Sequence, residues 1–179
     1  MNVLAIGCHP DDVEICCAGT LAKCVKRGDR VVTAHLCNGS LGHVVIPPHE
    51  LIPMRAEEAR TAGRLAGIEV LDGVFDDLDI YSDNAESRNK VVEIIQYAQP
   101  DFIITQNPDD YMPDHVACSK LVPICDQAPP AVRRGDVRPA EDGVWREGSD
   151  GGRRGRSEVP CARGASRRGA QVLPDAVPG

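Results

Sequence analysis

Two short stretches of the chain hold residues that could do chemistry. Gly7-Cys8-His9-Pro10-Asp11-Asp12 follows an apolar run at the start, and Gln106-Asn107-Pro108-Asp109-Asp110-Tyr111-Met112-Pro113-Asp114-His115 follows another. Taken alone, the first reads as a surface turn, because Pro and Asp are ordinary turn residues. Taken together, the two supply His9, Asp11, Asp12, Asp109, Asp110, Asp114 and His115. Two histidines and one carboxylate are the ligand set of a catalytic zinc, which keeps a fourth position for water. Such a site lowers the pKa of water towards about 7 and polarises a neighbouring carbonyl. A second carboxylate close by takes the water proton as general base and hands it to a leaving amine. The adjacent pair Asp11 and Asp12 offers that division of labour: one ligates while the other stays free. The chemistry is hydrolysis of an amide or an ester.

The elements that must position these residues are strands alternating with helices. Val3 to Ile6 is a short apolar strand. Ala18, Leu21, Ala22 and Val25 repeat at helical spacing, and Gly28 stops that helix. Val31 to Leu36 is a second strand, broken by Asn38-Gly39-Ser40. A loop from about Ser40 to Glu50 contains Pro47-Pro48. Ile52 to Ala66 reads as a helix stopped by Gly67, and Glu69 to Leu71 as a short strand. Asp83 and Glu86 have capping-box spacing before a helix with the stripe Val91, Ile94, Ile95 and Ala98. Pro100 ends it, and Phe102 to Thr105 is an apolar strand. This alternation predicts an α/β fold with a parallel sheet and helices on both faces. Ligands sit beyond the carboxyl ends of the strands in such sheets, where both stretches stand.

A length of 179 residues predicts one domain. The net charge of −7 and pI near 5.2 argue against a nucleic-acid partner. None of the eight cysteines stands in a CxxC pair, so zinc-ribbon and thioredoxin readings lack support. There is no basic, apolar leader at the start and no run long enough to span a membrane, so a reduced cytoplasmic setting is expected. The chain changes character near residue 126. Residues 127–179 hold 9 Gly, 10 Arg, 6 Pro and 7 Ala among 53 residues, with no Lys, Ile, Phe, Tyr or Met. Residues 1–126 carry 10 basic against 20 acidic side chains, and the tail 10 against 7. So few large apolar groups cannot offset the entropy of ordering. Residues 1–126 are therefore the expected domain. The low-complexity Arg/Gly/Pro/Ala-rich tail is expected to be disordered, or to be an out-of-frame reading of a GC-rich gene.

"HPDDVEICCAGTLAK" resembles the zinc-binding opening of the PIG-L/LmbE-like deacetylases, and "MRAEEAR", "FDDLD" and "NPDDYMPDH" follow in that family's order. The resemblance covers about residues 1–122. It implies a Rossmann-like layer without a dinucleotide site, in keeping with the absence of a GxGxxG turn, and a domain truncated before the family's later strands. It implies removal of an acetyl group from an N-acetylglucosaminyl-type sugar conjugate. Zinc, or another divalent metal, would be bound by His9, Asp12 and His115. Asp11 would be the general base, and Asp114 would orient a neighbouring histidine. Arg55 would contact substrate, with a surface or ion-pair role the equal alternative, and Asp76 would hold sugar hydroxyls. Glu14 and Gly19 match the pattern as local structure. Homo-oligomers are common in the family.

Met112 departs from the pattern. Many members carry a histidine there to stabilise the oxyanion, and methionine cannot donate a hydrogen bond. One such donor is typically worth about 3–4 kcal/mol in the transition state. The alternative reading is therefore an inactive or weakly active metal-binding module. Among the remaining residues, His35 is expected in the core or at an edge, and His43 and His49 in the exposed loop. Cys16-Cys17 is expected to pack near the site, and Asp72, Asp77, Asp79 and Asp83 to form a solvated acidic loop.

Overall fold

The computed structural model describes residues 1–126 and 172–173. Strands β1 (Asn2–Gly7), β2 (Arg30–His35), β3 (Glu69–Leu71) and β4 (Phe102–Thr105) alternate with helices α1 (Asp12–Arg27), α2 (Pro48–Ala66), α3 (Ala85–Ala98) and α4 (Pro113–Asp126). A two-residue strand, β5 (Val172–Leu173), lies beside β4. Otherwise the expectations for residues 127–179 fall outside the described residues. The sheet is parallel throughout, in the order β3-β2-β1-β4-β5. The α/β expectation is met, and α4 adds a helix to the elements read from the sequence.

Strand periodicity divides the core. Leu4 and Ile6 of β1 point to one face, with Val32, Ala34 and Ile103. There they meet Val91, Ile94 and Ala98 of α3 and Leu121, Val122 and Cys125 of α4. Val3, Ala5 and Val31 point to the other face, against Val13 and Leu21 of α1. Each fully buried Leu or Ile contributes roughly 1.5–3 kcal/mol by leaving water. Helix α2 lies close to β3 at Gly63, where a Cβ would sit 2.3 Å from Val70 Cγ2.

Three local readings are corrected. Ala18 and Ala22 are exposed, and the inward stripe of α1 runs through Val13, Cys17, Leu21, Cys24 and Val25. The helix α3 is capped by Asn84, whose side chain accepts from the Glu86 N–H, so Asp83 is not the cap. Asp72 is buried against Arg60, and Asp77 accepts from the N–H groups of Gly39 and Leu41 at 2.8 Å each. Neither belongs to a solvated loop.

Order β3-β2-β1-β4 puts the direction reversal between β1 and β4. From β1 the chain leaves through α1 towards β2, and from β3 it returns through α3 to β4 on the opposite side of β1. The two loops therefore diverge and leave a crevice at the carboxyl ends. His9, Asp11 and Asp12 come from the first loop and helix, and Asp110, Asp114 and His115 from the second.

Candidate metal centre

The crevice is built on one oxygen. Asp12 opens α1, and its Oδ2 accepts from the N–H of Cys8 (3.0 Å), the N–H of His9 (2.8 Å) and Gln106 Nε2 (2.6 Å). The strand-to-helix turn thus wraps around this carboxylate. The turn also holds Asp11 at φ 137°, a conformation L-residues rarely adopt, at a cost of about 1–3 kcal/mol.

Helix α4 opens on Pro113, Asp114 and His115. His115 Nε2 lies 3.3 Å from Asp12 Oδ2 and 3.3 Å from His9 Nδ1, and the remaining side, His9 Nδ1 to Asp12 Oδ2, is 3.7 Å. A tetrahedral cation with bonds of about 2.0–2.1 Å to nitrogen and oxygen spaces its ligands by roughly 3.3–3.4 Å. The triangle therefore fits such an ion. The amino ends of α1 and α4 both face it, and their dipoles favour the carboxylates gathered there.

Each histidine has a carboxylate on its other nitrogen. Asp114, buried, places Oδ2 at 3.2 Å from His9 Nε2 and accepts from the Leu78 N–H at 2.9 Å. Asp110 places Oδ2 at 3.0 Å from His115 Nδ1. Such partners fix ring orientation and raise ligand basicity. The Asp12 hydrogen bond is the main reason that His115 is raised from 6.5 to about 9; burial opposes it and Asp110 adds to it. Burial works against ionising Asp12, but the hydrogen bonds from His115 and the His9 N–H outweigh it and hold the carboxyl below its usual range.

Arg55 stands across the mouth. It donates to Asp11 Oδ2 at 2.8 Å, to the Pro10 carbonyl, and to Glu58 at 2.8 Å. The Asp11 side chain is half exposed at 52%. Asp76 is exposed and accepts from Asn38 Nδ2 at 2.6 Å. Thus His9, Asp12, His115 and Asp114 converge, Asp11 and Arg55 form a pair at the rim, and Asp76 belongs to a neighbouring loop. Of the histidines outside the site, His35 is buried beside Glu14 at 3.4 Å, His43 accepts from the N–H groups of Val45 and Ile46, and His49 is exposed. Cys16 is exposed and Cys17 half-buried.

Three participants carry no motif of their own: Asp110, Gln106 and the buried Cys8–Cys37 pair, whose Sγ atoms lie 3.6 Å apart. "PDD" marks two carboxylates, but only the fold says that Asp110 meets His115. The neighbouring Cys37 thiol, then burial, push Cys8 far above the ordinary thiol range.

The comparisons agree with this architecture. The family model described as PIG-L, GlcNAc-PI de-N-acetylase, matches residues 4–125. The N,N'-diacetylchitobiose deacetylase of Pyrococcus horikoshii is 26% identical with a TM-score of 0.65, over 72% of this chain and 51% of its own. A conserved protein of Thermus thermophilus is 28% identical with a TM-score of 0.59, over 70% of this chain and 55% of its own. GalB, the 4-carboxy-2-hydroxymuconate hydratase of Pseudomonas putida, is 22% identical with a TM-score of 0.61, over 72% and 58%, a likeness of fold alone. The chain spans little more than half the length of each of these structures. With 122 of its residues matched by the family model, the crevice at the reversal point and the paired loops in that family's order, the chain belongs to the PIG-L family.

Proposed function

We propose that the chain carries the metal site of a zinc-dependent N-deacetylase that acts on an N-acetylglucosaminyl-type sugar conjugate. The observation that carries this reading is the His9, Asp12 and His115 triangle, with sides of 3.3, 3.3 and 3.7 Å. Two nitrogens and one carboxylate oxygen suit zinc among divalent ions. A cation bound there supplies Lewis-acid polarisation of the amide carbonyl and acidifies water.

The remaining work falls to side chains. Asp114 and Asp110 hold the two imidazoles by their far nitrogens, and Gln106 holds Asp12. Asp11 is the general base. Arg55 grips its Oδ2, which leaves Oδ1 to take the proton of the attacking water and return it to the leaving amine. Acetate and the free amine are the products. Arg55 then has two tasks, steadying Asp11 and meeting the substrate at the rim. Asp76 offers an exposed carboxylate to sugar hydroxyls. The sugar class rests on the family and on the likeness to the chitobiose deacetylase. A reducing cytoplasm suits buried thiols such as Cys8, Cys37, Cys118 and Cys125.

The test is acetate release from N-acetylglucosamine conjugates, with metal content measured in parallel. Asp11→Asn should lose about 10²- to 10⁴-fold in rate and keep its metal; full activity in that variant refutes the base assignment. His9→Ala with undiminished metal refutes the ligand assignment. One observation favours a second reading, a metal-binding module with little activity: the half-buried Met112 has no side-chain donor for an oxyanion. Zinc uptake with no acetate release from any such conjugate would select it.

A further inference from the structure

Beneath the nitrogen and oxygen triangle lies a second convergence of metal-binding atoms. Cys8 opens the turn after β1, and Cys37 stands two residues past the end of β2. The Cys37 N–H donates to the Cys8 carbonyl at 2.7 Å, so the two residues are neighbours across the sheet's carboxyl edge. Both side chains are fully buried, and their sulfurs are 3.6 Å apart. Cys8 Sγ, Cys37 Sγ, one His9 nitrogen and one Asp114 oxygen all lie within 4.8 Å of one another. Asp114 Oδ2 is 3.2 Å from His9 Nε2.

Two of the edges have the lengths a tetrahedral ion sets. Bonds of about 2.3 Å to sulfur set two thiolates roughly 3.8 Å apart, and bonds of about 2.0–2.1 Å set a nitrogen–oxygen edge near 3.3–3.4 Å. The observed edges are 3.6 and 3.2 Å. A set of two sulfurs, one nitrogen and one carboxylate leaves no open position, which is the pattern of a closed site rather than a catalytic one. The Leu78 N–H already steadies the Asp114 carboxylate.

We propose that Cys8, Cys37, His9 and Asp114 form a second metal site, selective for a thiophilic d10 cation of the Zn²⁺ or Cd²⁺ kind. Each thiol gives its proton to solvent as its sulfur binds. The site shares His9 with the triangle above it, and a neutral imidazole has one lone pair to give. Occupation of the sulfur site therefore takes His9 away from Asp12 and His115, and the two sites exclude one another. The sulfur site does not depend on the reaction proposed above, because its detection requires no turnover.

The experiment is a titration of the full chain with Cd²⁺ alone, under a phosphine reductant, read by thiolate-to-cadmium charge-transfer absorption. Cys16→Ser, Cys17→Ala, Cys24→Ser and Cys161→Ser are introduced together so that these sulfurs cannot contribute. The expected result is a band that saturates at one equivalent. It should vanish in Cys37→Ala and in Cys8→Ala, and persist in His115→Ala, which belongs to the other set. No band at excess Cd²⁺, or a band that survives Cys8→Ala together with Cys37→Ala, overturns the proposal. X-ray absorption at cadmium in the chain that keeps Cys8 and Cys37 provides a check that needs neither substitution. Two sulfur neighbours support the site, and any other number refutes it.

Discussion

If His115 ligates a cation as proposed, the incoming ion must displace the proton on its ring. The histidine's pKa is raised from 6.5 to about 9, first by Asp12, against burial, and then by Asp110. A histidine must be neutral to ligate. At pH 7 only about one molecule in 100 has that form, so apparent affinity should be about 100-fold below its value on the alkaline plateau. Between pH 6.5 and about 9 affinity should rise about tenfold per unit, then level off. Calorimetric zinc titration in buffers of different ionisation enthalpy counts the protons released. The expected count from this group is about one at pH 7, falling towards zero above about pH 9. Asp110→Asn removes one of the two carboxylates that raise the pKa, so the plateau should begin at lower pH. An affinity that is flat from pH 6.5 to 8.5, with no proton release, refutes the reasoning. The same shift bears on folding without metal. A raised pKa means that His115 stabilises the fold fully below about 6.5 and loses that contribution as pH climbs through about 9.

Three further outcomes test the surroundings. Gln106→Ala removes the 2.6 Å hydrogen bond to Asp12 and should weaken zinc binding by about 10- to 100-fold, measured by competition with a chelating dye. Gly73→Ala would place a Cβ 2.2 Å from the Cys37 carbonyl oxygen, and should destabilise the chain by roughly 1–3 kcal/mol in urea titration. Leu21→Ala should cost about 2–5 kcal/mol while Ala18→Glu changes stability by less than about 0.5 kcal/mol, since only Leu21 faces the sheet.

The strands were legible because short, mostly apolar runs between turn residues leave little choice. Glu69–Leu71 and Phe102–Thr105 appear with the bounds read from the sequence. The phase of α1 was not legible. Small Ala and Cys residues lie on several sides of that helix, so more than one stripe satisfies helical spacing. Asp12 settles the matter, because its bonds to the Cys8 and His9 N–H groups fix where the first turn begins. The two loops that form the candidate site were legible because rare residue types cluster at strand ends. Their supports were not, since each is a long-range match. Gln106 reaches Asp12 from a neighbouring strand end, Arg60 finds Asp72 from another element, and Arg55 crosses to Asp11.

The backbone at Asp11 ties the proposed base to the stability of the fold. Glycine adopts φ 137° without the penalty an aspartate meets there, and the exposed pair with Arg55 offsets little of it. Asp11→Gly should therefore melt higher than the native chain while losing its base. If the chain were selected for heat resistance alone, this position would drift towards glycine. If it were selected for turnover, the position would stay aspartate at a standing thermodynamic loss. Laboratory evolution under those two regimes would separate a working hydrolase from a metal-binding relic without any knowledge of the natural substrate.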